Sequence, residues 1–345
     1  MSRAKSVRWP RGRMGELLSV VFPVGPGVPR AGRALDDLLA QTYGDLEIIS
    51  VLNGCPEEVR EDFLGRRESR LRVLDLGGEG RLLDALEWAV NESRGRWLGR
   101  MDSDDRCAPE RFERQVSMLE DGEVDVVSCG ISLCGALGDG MQRYVDWVNR
   151  LDTPEKVARE RFVESPVVQP TVVMAKSLFQ RAGGYLRNGH AEDYDLWLRL
   201  LGRGVRFGKV PELLYHWHDR KERLTRSDPR FGQKRMLALK ARALSELPRV
   251  RERGVVLAGA GPIGRVLGRE LKRNGISLHG YFEVNPKRIG RECQGAPIAG
   301  PDGLGKRWRK AVLLGAVGVG DGRDRVRTLA AGEGYQEGLD FWSCC

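Results

Sequence analysis

Two apolar segments joined by one amphipathic helix constrain the fold of this chain most strongly. Leu18 to Val24 and Glu47 to Leu52 are short apolar runs typical of buried strands. Between them, Ala34 to Tyr43 places its leucines at helical spacing. A strand, a helix and a strand in this order form a parallel unit, so we predict a doubly wound α/β sheet. Ligands of such sheets bind at the carboxyl ends of the strands, where Pro23 and Asn53 lie.

A cluster of carboxylates follows a further predicted strand, which begins at Trp97. Asp102, Asp104 and Asp105 lie within one short turn, and Pro109 then opens a predicted helix. Like charges this close are costly to ionise together unless a cation lies between them. Carboxylate oxygens are the ligands that Mg²⁺ and Mn²⁺ prefer. The cluster therefore indicates a divalent metal site, with an acidic turn whose Asp105 caps the next helix as the alternative.

A second pair of acids, Glu192 and Asp193, precedes apolar residues at helical spacing. These are Leu196, Trp197, Leu200 and Leu201. We predict a helix that begins at or just after the acids, where the helix dipole stabilises an ionised carboxylate. An ionised carboxylate at this place can accept a proton from a hydroxyl group. An ordinary acidic first turn is the alternative.

A glycine-rich turn marks a second α/β unit near the C-terminus. The segment VVLAGAGPIGRVLGREL reads as a strand, a turn containing Gly259, Gly261 and Gly264, and a helix. Glu283 follows at about the spacing expected of an acid that binds a ribose. The pattern indicates a site for NAD(P) or another nucleotide, with a purely scaffolding turn as the alternative. A dehydrogenase is disfavoured, because we find no Tyr-x-x-x-Lys proton relay in the sequence.

Chain length and these patterns predict two domains. We expect a basic disordered tail over residues 1–16, a first α/β domain over 17–230, a helical linker over 231–250 and a smaller Rossmann-like domain over 251–345. A chain of 345 residues is long enough to bury a core in each domain.

Charge and cysteine usage narrow the expected environment. The net charge is +9, but the basic excess lies in the tail and in residues 251–345, so the first domain is nearly neutral. Seven cysteines without a Cys-x-x-Cys pair suit reduced thiols and a cytoplasmic protein. Glu16 and the prolines that follow argue against a signal peptide, and no apolar run reaches the ~20 residues of a transmembrane segment.

The carboxylate cluster resembles the aspartate motif of family 2 glycosyltransferases, which have the GT-A fold. That motif is an apolar strand, Asp-x-Asp-Asp, Pro-x-Arg and Gln, and the chain matches it through Pro109, Arg111 and Gln115. The acids at 192 and 193, with Gly-Gly-Tyr before them and Trp-Leu-Arg after them, are similar to the family's Glu-Asp motif, which carries the general base. The resemblance implies an inverting transfer of sugar from a nucleotide-diphosphate sugar to an acceptor hydroxyl.

The resemblance also assigns roles to particular residues. Asp193 is expected to be the general base, with Glu192 as the alternative. Metal binding is expected of Asp102, Asp104 and His218, with His216 as an alternative to His218. Donor binding is expected of Pro23, Asn53, Asp102 and Arg226, with Arg223 as an alternative to Arg226.

Two places depart from the family pattern and leave the nucleobase undetermined. Gly25 and Pro26 follow Val24 where the family usually has Tyr-Asn, and Asn53 lies where an acidic pair usually meets the base. These departures keep a non-catalytic nucleotide sensor or scaffold open as an alternative function.

The stretch 144–170 resembles a bacterial subgroup of the family and, more distantly, queuosine-tRNA galactosyltransferases. Its shared features include Tyr144, Trp147 and Asn149 and the pair Pro170 and Thr171. The acceptor is therefore left open among a glycan, a lipid-linked molecule and tRNA, the last giving a tRNA-modifying glycosyltransferase.

Overall fold

The structure is a computed structural model that describes residues 16–28, 31–78, 80–135, 138–220, 226, 228–300, 303–318 and 320–345. The predicted basic tail, apart from Glu16, and the alternative donor residue Arg223 lie outside these residues. The described residues form two β-sheets with helices packed on them, in agreement with the predicted α/β class. No helix in this part of the chain combines the length and hydrophobicity of a transmembrane span.

The first sheet has eight strands and a parallel half. In chain order the strands are β1 (Leu18–Val24), β2 (Leu46–Leu52), β3 (Leu71–Asp75), β4 (Trp97–Arg100), β5 (Arg106–Cys107), β6 (Val126–Cys134), β7 (Val173–Ala175) and β8 (Phe207–His218). Their order across the sheet is β3-β2-β1-β4-β7-β6-β8-β5. Strands β3, β2, β1 and β4 are mutually parallel, and β7 joins this half to β6 by antiparallel pairing. The predicted parallel unit is thus confirmed.

Eight α-helices accompany this sheet in the described residues. They are α1 (Ala31–Leu39), α2 (Glu57–Gly65), α3 (Leu82–Glu92), α4 (Arg111–Glu120), α5 (Asp139–Asn149), α6 (Pro154–Glu160), α7 (Lys176–Arg181) and α8 (Glu192–Gly202). Short 3₁₀ turns cover Gln169–Thr171 and Pro229–Phe231. Thr153 caps α6 by accepting a hydrogen bond from the Lys156 amide, as its sequence context predicts.

Three element bounds differ from the prediction for identifiable reasons. Helix α1 ends at Leu39 rather than Tyr43, because the Gln41 side chain and the Thr42 amide instead donate hydrogen bonds to the carbonyls of residues 108 and 109. Helix α4 begins two residues after Pro109. The apolar run from Val205 to Val210 predicts a strand that ends at Pro211. Strand β8 instead continues through Pro211 to His218, since shifts in its register with β6 around Gly130 accommodate the proline.

The arginine and glutamine of the aspartate motif are structural residues. Arg111 is fully buried, and its guanidinium donates to the carbonyls of Arg100 and Pro170 and to the Gln115 side chain. The amide of Gln115 in turn donates to the carbonyls of Val127 and Thr171. A buried guanidinium requires such acceptors, so this network fixes the end of β4, where the carboxylates begin.

The second sheet has six strands around the glycine-rich turn. They are β9 (Val255–Ala258), β10 (Leu278–Phe282), β11 (Glu292–Cys293), β12 (Ala296–Ala299), β13 (Val312–Gly315) and β14 (Phe341–Ser343), in the order β11-β12-β10-β9-β13-β14. All of its pairings are parallel except that of β11 with β12. The accompanying helices are α9 (Gln233–Ser245), α10 (Pro248–Arg253), α11 (Pro262–Arg273), α12 (Gly303–Arg307) and α13 (Gly322–Gly332). The predicted linker thus contains one complete helix and the start of another, because Pro248 begins α10.

Candidate active site

One large cleft opens at the carboxyl ends of β1 and β4. Its volume is about 1300 Å³, and both acidic motifs reach it. The structure brings five of the predicted site residues together in its lining: Pro23, Asp102, Asp104, Glu192 and Asp193. The carboxyl edge of the parallel strands is where ligands of such sheets bind, so the cleft lies where the topology places a site.

The carboxylates after β4 form a compact group of oxygen atoms. One oxygen from each of Asp102, Asp104 and Asp105 lies within 4.8 Å of the others. The Oδ1 atom of Asp102 accepts a hydrogen bond from Arg100 Nη2 at 2.9 Å. The Oδ2 atom of Asp104 lies 2.5 Å from Arg220 Nη2. Carboxylate oxygens this close together, with Asp102 and Asp104 half-buried, are suited to a hard divalent cation.

Asp105 differs from its two neighbours because its carboxylate is occupied inside the protein. Its Oδ2 accepts from the Tyr215 hydroxyl at 2.6 Å, and its Oδ1 accepts from the His218 amide at 2.7 Å. The residue is 1% exposed. Asp105 therefore ties the acidic turn to β8, and it does not cap α4 as the alternative interpretation had it.

The predicted histidines lie on β8, beside the carboxylate group. His218 Nδ1 is 4.0 Å from Asp105 Oδ1, and its ring nitrogens are not part of the group of oxygens described above. His216 Nδ1 is 2.6 Å from the hydroxyl of Ser132 on β6. The structure thus places His218 beside the buried aspartate, while the ring of His216 is engaged with Ser132.

Arg100 is a site residue that the sequence reasoning missed. It is the last residue of β4, is only 7% exposed, and holds Asp102 Oδ1 through both Nε and Nη2. Burial lowers the pKa of Arg100, but the charges of Asp102 and Glu192 outweigh it, so the net shift is upward. An arginine within an otherwise apolar strand was the signal in the sequence, because a buried guanidinium needs anionic partners.

Asp193 lies in the first turn of α8 and keeps partial exposure to the cleft. Its Oδ1 accepts the Tyr194 amide hydrogen at 2.7 Å. Burial and the neighbouring Glu192 charge raise the pKa of Asp193 to about 7, although the Tyr194 amide and Arg100 act in the opposite direction. The prediction that the helix start would favour the ionised form was therefore wrong in its net sign, because desolvation outweighs the local dipole.

Glu192 has a different environment from Asp193. Its Oε2 lies 2.9 Å from Arg230 Nη1, and Glu192 is 2% exposed. Arg230 comes from the 3₁₀ turn before α9, a position for which the sequence carried no signal. The pair of acids therefore divides into an ion-paired glutamate and an aspartate without an ion pair in the described part of the chain.

Asn53 and Arg226 are not among the described residues that line the cleft. The Nδ2 of Asn53 donates to the Gly80 carbonyl at 2.9 Å, so the side chain joins the end of β2 to the segment before α3. Arg226 Nη2 pairs with Asp219 at 2.8 Å, and its Nη1 donates to the Arg220 carbonyl. Among the described residues of this segment, Arg220 lines the cleft, and the sequence reasoning did not single it out.

The glycine-rich turn has one open and two crowded positions. Gly259 has φ +107°, and a Cβ added at Gly264 would lie 1.9 Å from the Gly259 carbonyl oxygen. A Cβ added at Gly261 meets nothing closer than Arg288 Nη1 at 4.0 Å. Gly264 therefore allows close packing of α11 on β9, while the backbone at Gly261 is accessible.

Glu283 has a carboxylate that is already engaged. It accepts from the amides of Ala260, Val284 and Asn285 and pairs with Arg288 at 2.9 Å. These contacts, which outweigh the effect of burial, lower the pKa of Glu283. A ribose hydroxyl bound at Glu283 would have to displace some of these contacts, because a carboxylate offers about four acceptor positions.

The fold and this cleft together define a class of protein, a glycosyltransferase with a GT-A fold and a second α/β domain. Residues 19–183 match the family model described as glycosyl transferase family 2. These residues, nearly half of the chain, form a family 2 glycosyltransferase domain. The predicted fold class and enzyme class are both confirmed.

Known proteins similar to this chain carry glycosyltransferase names. It is 28% identical over 212 residues to the O-antigen biosynthesis glycosyltransferase WbnJ of Escherichia coli, covering 59% of this chain and 80% of that protein. It is 29% identical over 184 residues to the amylovoran biosynthesis glycosyltransferase AmsE of Erwinia amylovora, covering 53% and 68%. Among solved structures, S. aureus TarS 1-349 in complex with UDP-GlcNAc is similar in fold, with TM-score 0.55 and 16% identity over 74% of this chain and 72% of that chain.

Proposed function

We propose that this enzyme transfers a sugar from a nucleotide-diphosphate sugar to an acceptor hydroxyl, with a divalent cation and with inversion at the anomeric carbon. The observation that carries the proposal is the presence of Asp102, Asp104 and Asp193 in the lining of one cleft. A cation site and a proton acceptor are the two groups that a direct displacement at a sugar carbon requires of the protein.

Asp102 and Asp104 are the residues that would hold Mg²⁺ or Mn²⁺. Each has one carboxylate oxygen in a described hydrogen bond or ion pair, to Arg100 and Arg220 respectively, and offers a second oxygen. A bound cation would neutralise the charge that builds on the departing diphosphate. Asp105 is excluded from this role by its bonds to Tyr215 and His218.

Arg220 and Arg100 would balance charge on the two sides of the donor. Arg220 contacts Asp104 at the cleft, and a guanidinium in this position matches the paired oxygens of a diphosphate. Arg100 contacts Asp102, and its charge also acts on the acids of α8, so it limits the repulsion among these carboxylates. We assign donor contact to Arg220 and Pro23, and the support of Arg220 to Arg226.

Asp193 would take the proton of the acceptor hydroxyl. A base is most effective when its pKa is near the working pH, and burial brings the pKa of Asp193 to about 7. Glu192 is less suited to this role, because Arg230 holds its carboxylate. A single displacement with one base and no covalent intermediate inverts the anomeric centre.

Release of nucleoside diphosphate from UDP and GDP sugars tests the function. The fold similarity to a UDP-GlcNAc complex makes UDP-GlcNAc the first donor to test. We expect Mn²⁺-dependent release that EDTA abolishes and that Asp193→Asn lowers by about 10²-fold or more. Asp121→Asn, at an exposed position after α4, is the matched control and should leave the rate unchanged. Release that is equal in Asp193→Asn would contradict the assignment of the base.

A further inference from the structure

The cleft continues beyond the carboxylates onto the second α/β domain. Ile263, Gly318 and Arg323 line its far side, together with Cys345. Each of these residues follows the carboxyl end of a strand in the second sheet. Ile263 follows β9, Gly318 and Arg323 follow β13, and Cys345 follows β14. The two sheets therefore turn their ligand-binding edges towards the same cleft. The cleft, at about 1300 Å³, exceeds the ~300–1,000 Å³ usual for one small ligand.

Buried contacts hold the part of the second domain that lines the cleft against the first domain. The Nζ of Lys240, on α9, donates to the carbonyls of Val163 at 2.8 Å and Cys344 at 3.2 Å. The Arg161 guanidinium lies 4.2 Å from the ring centroid of Trp342 on β14. A buried ammonium group needs hydrogen-bond acceptors. Lys240 therefore connects the segment around Val163, in the first domain, to Cys344 at the end of the second sheet.

Helix α5 contributes an aromatic surface to the same part of the cleft. Tyr144 and Trp147 are half-buried, their ring centroids are 5.8 Å apart, and both line the cleft. The Tyr144 hydroxyl donates to the Ser165 carbonyl at 2.9 Å, which holds that ring in place. The exposed neighbours Arg143 and Asp146 line the cleft as well, so both signs of charge stand beside the rings.

We propose that α5 and the second domain form the acceptor subsite and that the acceptor is a glycan; this inference rests on the proposed glycosyl transfer. The apolar C–H face of a sugar ring packs on an aromatic ring such as Trp147. Its hydroxyls can both donate to carboxylates and accept from guanidinium groups, which suits the mixed pair Asp146 and Arg143. The same part of the lining carries Asp146 and Glu164 beside Arg143, Arg150 and Arg323. Mixed charges next to aromatic rings suit a polyhydroxyl acceptor, and binding of a nucleic acid or a phosphate in its place is an outcome of the test.

Saturation-transfer NMR on the full chain tests the aromatic contact. The probes are methyl glycosides of glucose, galactose and N-acetylglucosamine, with UDP and the diamagnetic cation Mg²⁺ present. At least one glycoside should bind, and Trp147→Ala should weaken its affinity by about tenfold or more, because the stacking surface is lost. Trp147→Phe keeps a ring and should retain most of the affinity. The melting temperature of each variant reports on folding.

A matched arginine pair tests the contribution of the second domain. Arg323 and Arg325 lie two residues apart on α13, but Arg323 lines the cleft, whereas the Arg325 side chain is 79% exposed. Arg323→Gln should weaken the bound glycoside by about fivefold, the scale of one lost hydrogen bond, and Arg325→Gln should leave it unchanged. This pair also keeps the proposal testable if Trp147→Ala fails to fold.

Several results would overturn the glycan subsite. The first is binding of UDP without a signal from any glycoside. The second is glycoside affinity that is the same in Trp147→Ala as in the unchanged chain, or the same in Arg323→Gln as in Arg325→Gln. The third is displacement of the glycoside by glycerol phosphate or tRNA at a concentration below that of the glycoside. Glycoside binding that responds to Trp147 while UDP does not bind would instead refute the proposed donor chemistry, so the two failures are distinguishable.

Discussion

The Oε2 atom of Glu192 lies 2.9 Å from Nη1 of Arg230, while the adjacent Asp193 has no ion pair within the described residues. Two neighbouring acids in one helical turn thus have unequal environments. The glutamate has a cation to stabilise its charge, and the aspartate has burial and a like charge to oppose ionisation. The two acids therefore suit different roles: Glu192 holds an ion pair, and Asp193 can exchange a proton near neutral pH.

The pH dependence of the reaction should show this division. The base is active when deprotonated, so kcat/KM should fall as the pH drops through about 7, the value to which burial and Glu192 raise the pKa of Asp193. Glu192→Gln removes the repelling charge and should move this limb to lower pH. A pH series of initial rates measures this shift. If the acidic fall of kcat/KM stays at the same pH in Glu192→Gln, it does not report the ionisation of Asp193.

Asp105 and Asp104 should respond differently to the same substitution. Asp105→Asn weakens buried bonds from Tyr215 and His218, and should lower the free energy of unfolding by about 2 kcal/mol. Asp104→Asn should leave stability nearly unchanged, because its carboxylate faces the cleft. Urea denaturation followed by tryptophan fluorescence measures both, and equal losses would contradict the separation of a structural acid from a metal-binding acid.

Substitutions in the glycine-rich turn should separate packing from access. Gly264→Ala places a Cβ 1.9 Å from the Gly259 carbonyl oxygen and should lower the melting temperature of the second domain. Gly261→Ala has open space and should be tolerated. Differential scanning calorimetry of the two variants checks this order, and a larger loss in Gly261→Ala would refute it.

Nucleotide binding by the second domain remains a prediction with its own experiment. Full-length Asp104→Ala, in which the metal-dependent donor site is weakened, should bind NAD or NADP saturably if the turn is a binding site. Gly261→Val added to that variant should block the ligand, because a branched side chain would occupy the backbone approach. The absence of saturable binding at millimolar nucleotide would leave the turn as a packing device.

Much of the fold could be predicted from local patterns. The first strand, the parallel unit and the strand, turn and helix around Gly259 follow from apolar periodicity and glycine placement, which act over a few residues. The prediction located β8 only in part, since its passage through Pro211 depends on a register shift with β6 that no local pattern encodes.

The site could be predicted where its residues form acidic motifs and not where they act by tertiary contact. Asp102, Asp104, Glu192 and Asp193 were identified from their spacing, and the structure brings them to one cleft. Arg230 comes from a distant turn, and the raised pKa of Asp193 depends on burial that only the folded chain creates. No local pattern indicates that the carboxylate of Asp105 accepts its hydrogen bonds from β8, because that contact depends on the folded chain.

The central claim is a metal-dependent donor site at Asp102 and Asp104, and isothermal titration calorimetry with UDP and GDP tests it most directly. We expect saturable binding of one nucleotide in the presence of Mn²⁺, loss of that binding with EDTA, and loss in Asp104→Ala at an unchanged melting temperature. Equal affinity in EDTA, or undiminished affinity in Asp104→Ala with Mn²⁺ present, would contradict the account.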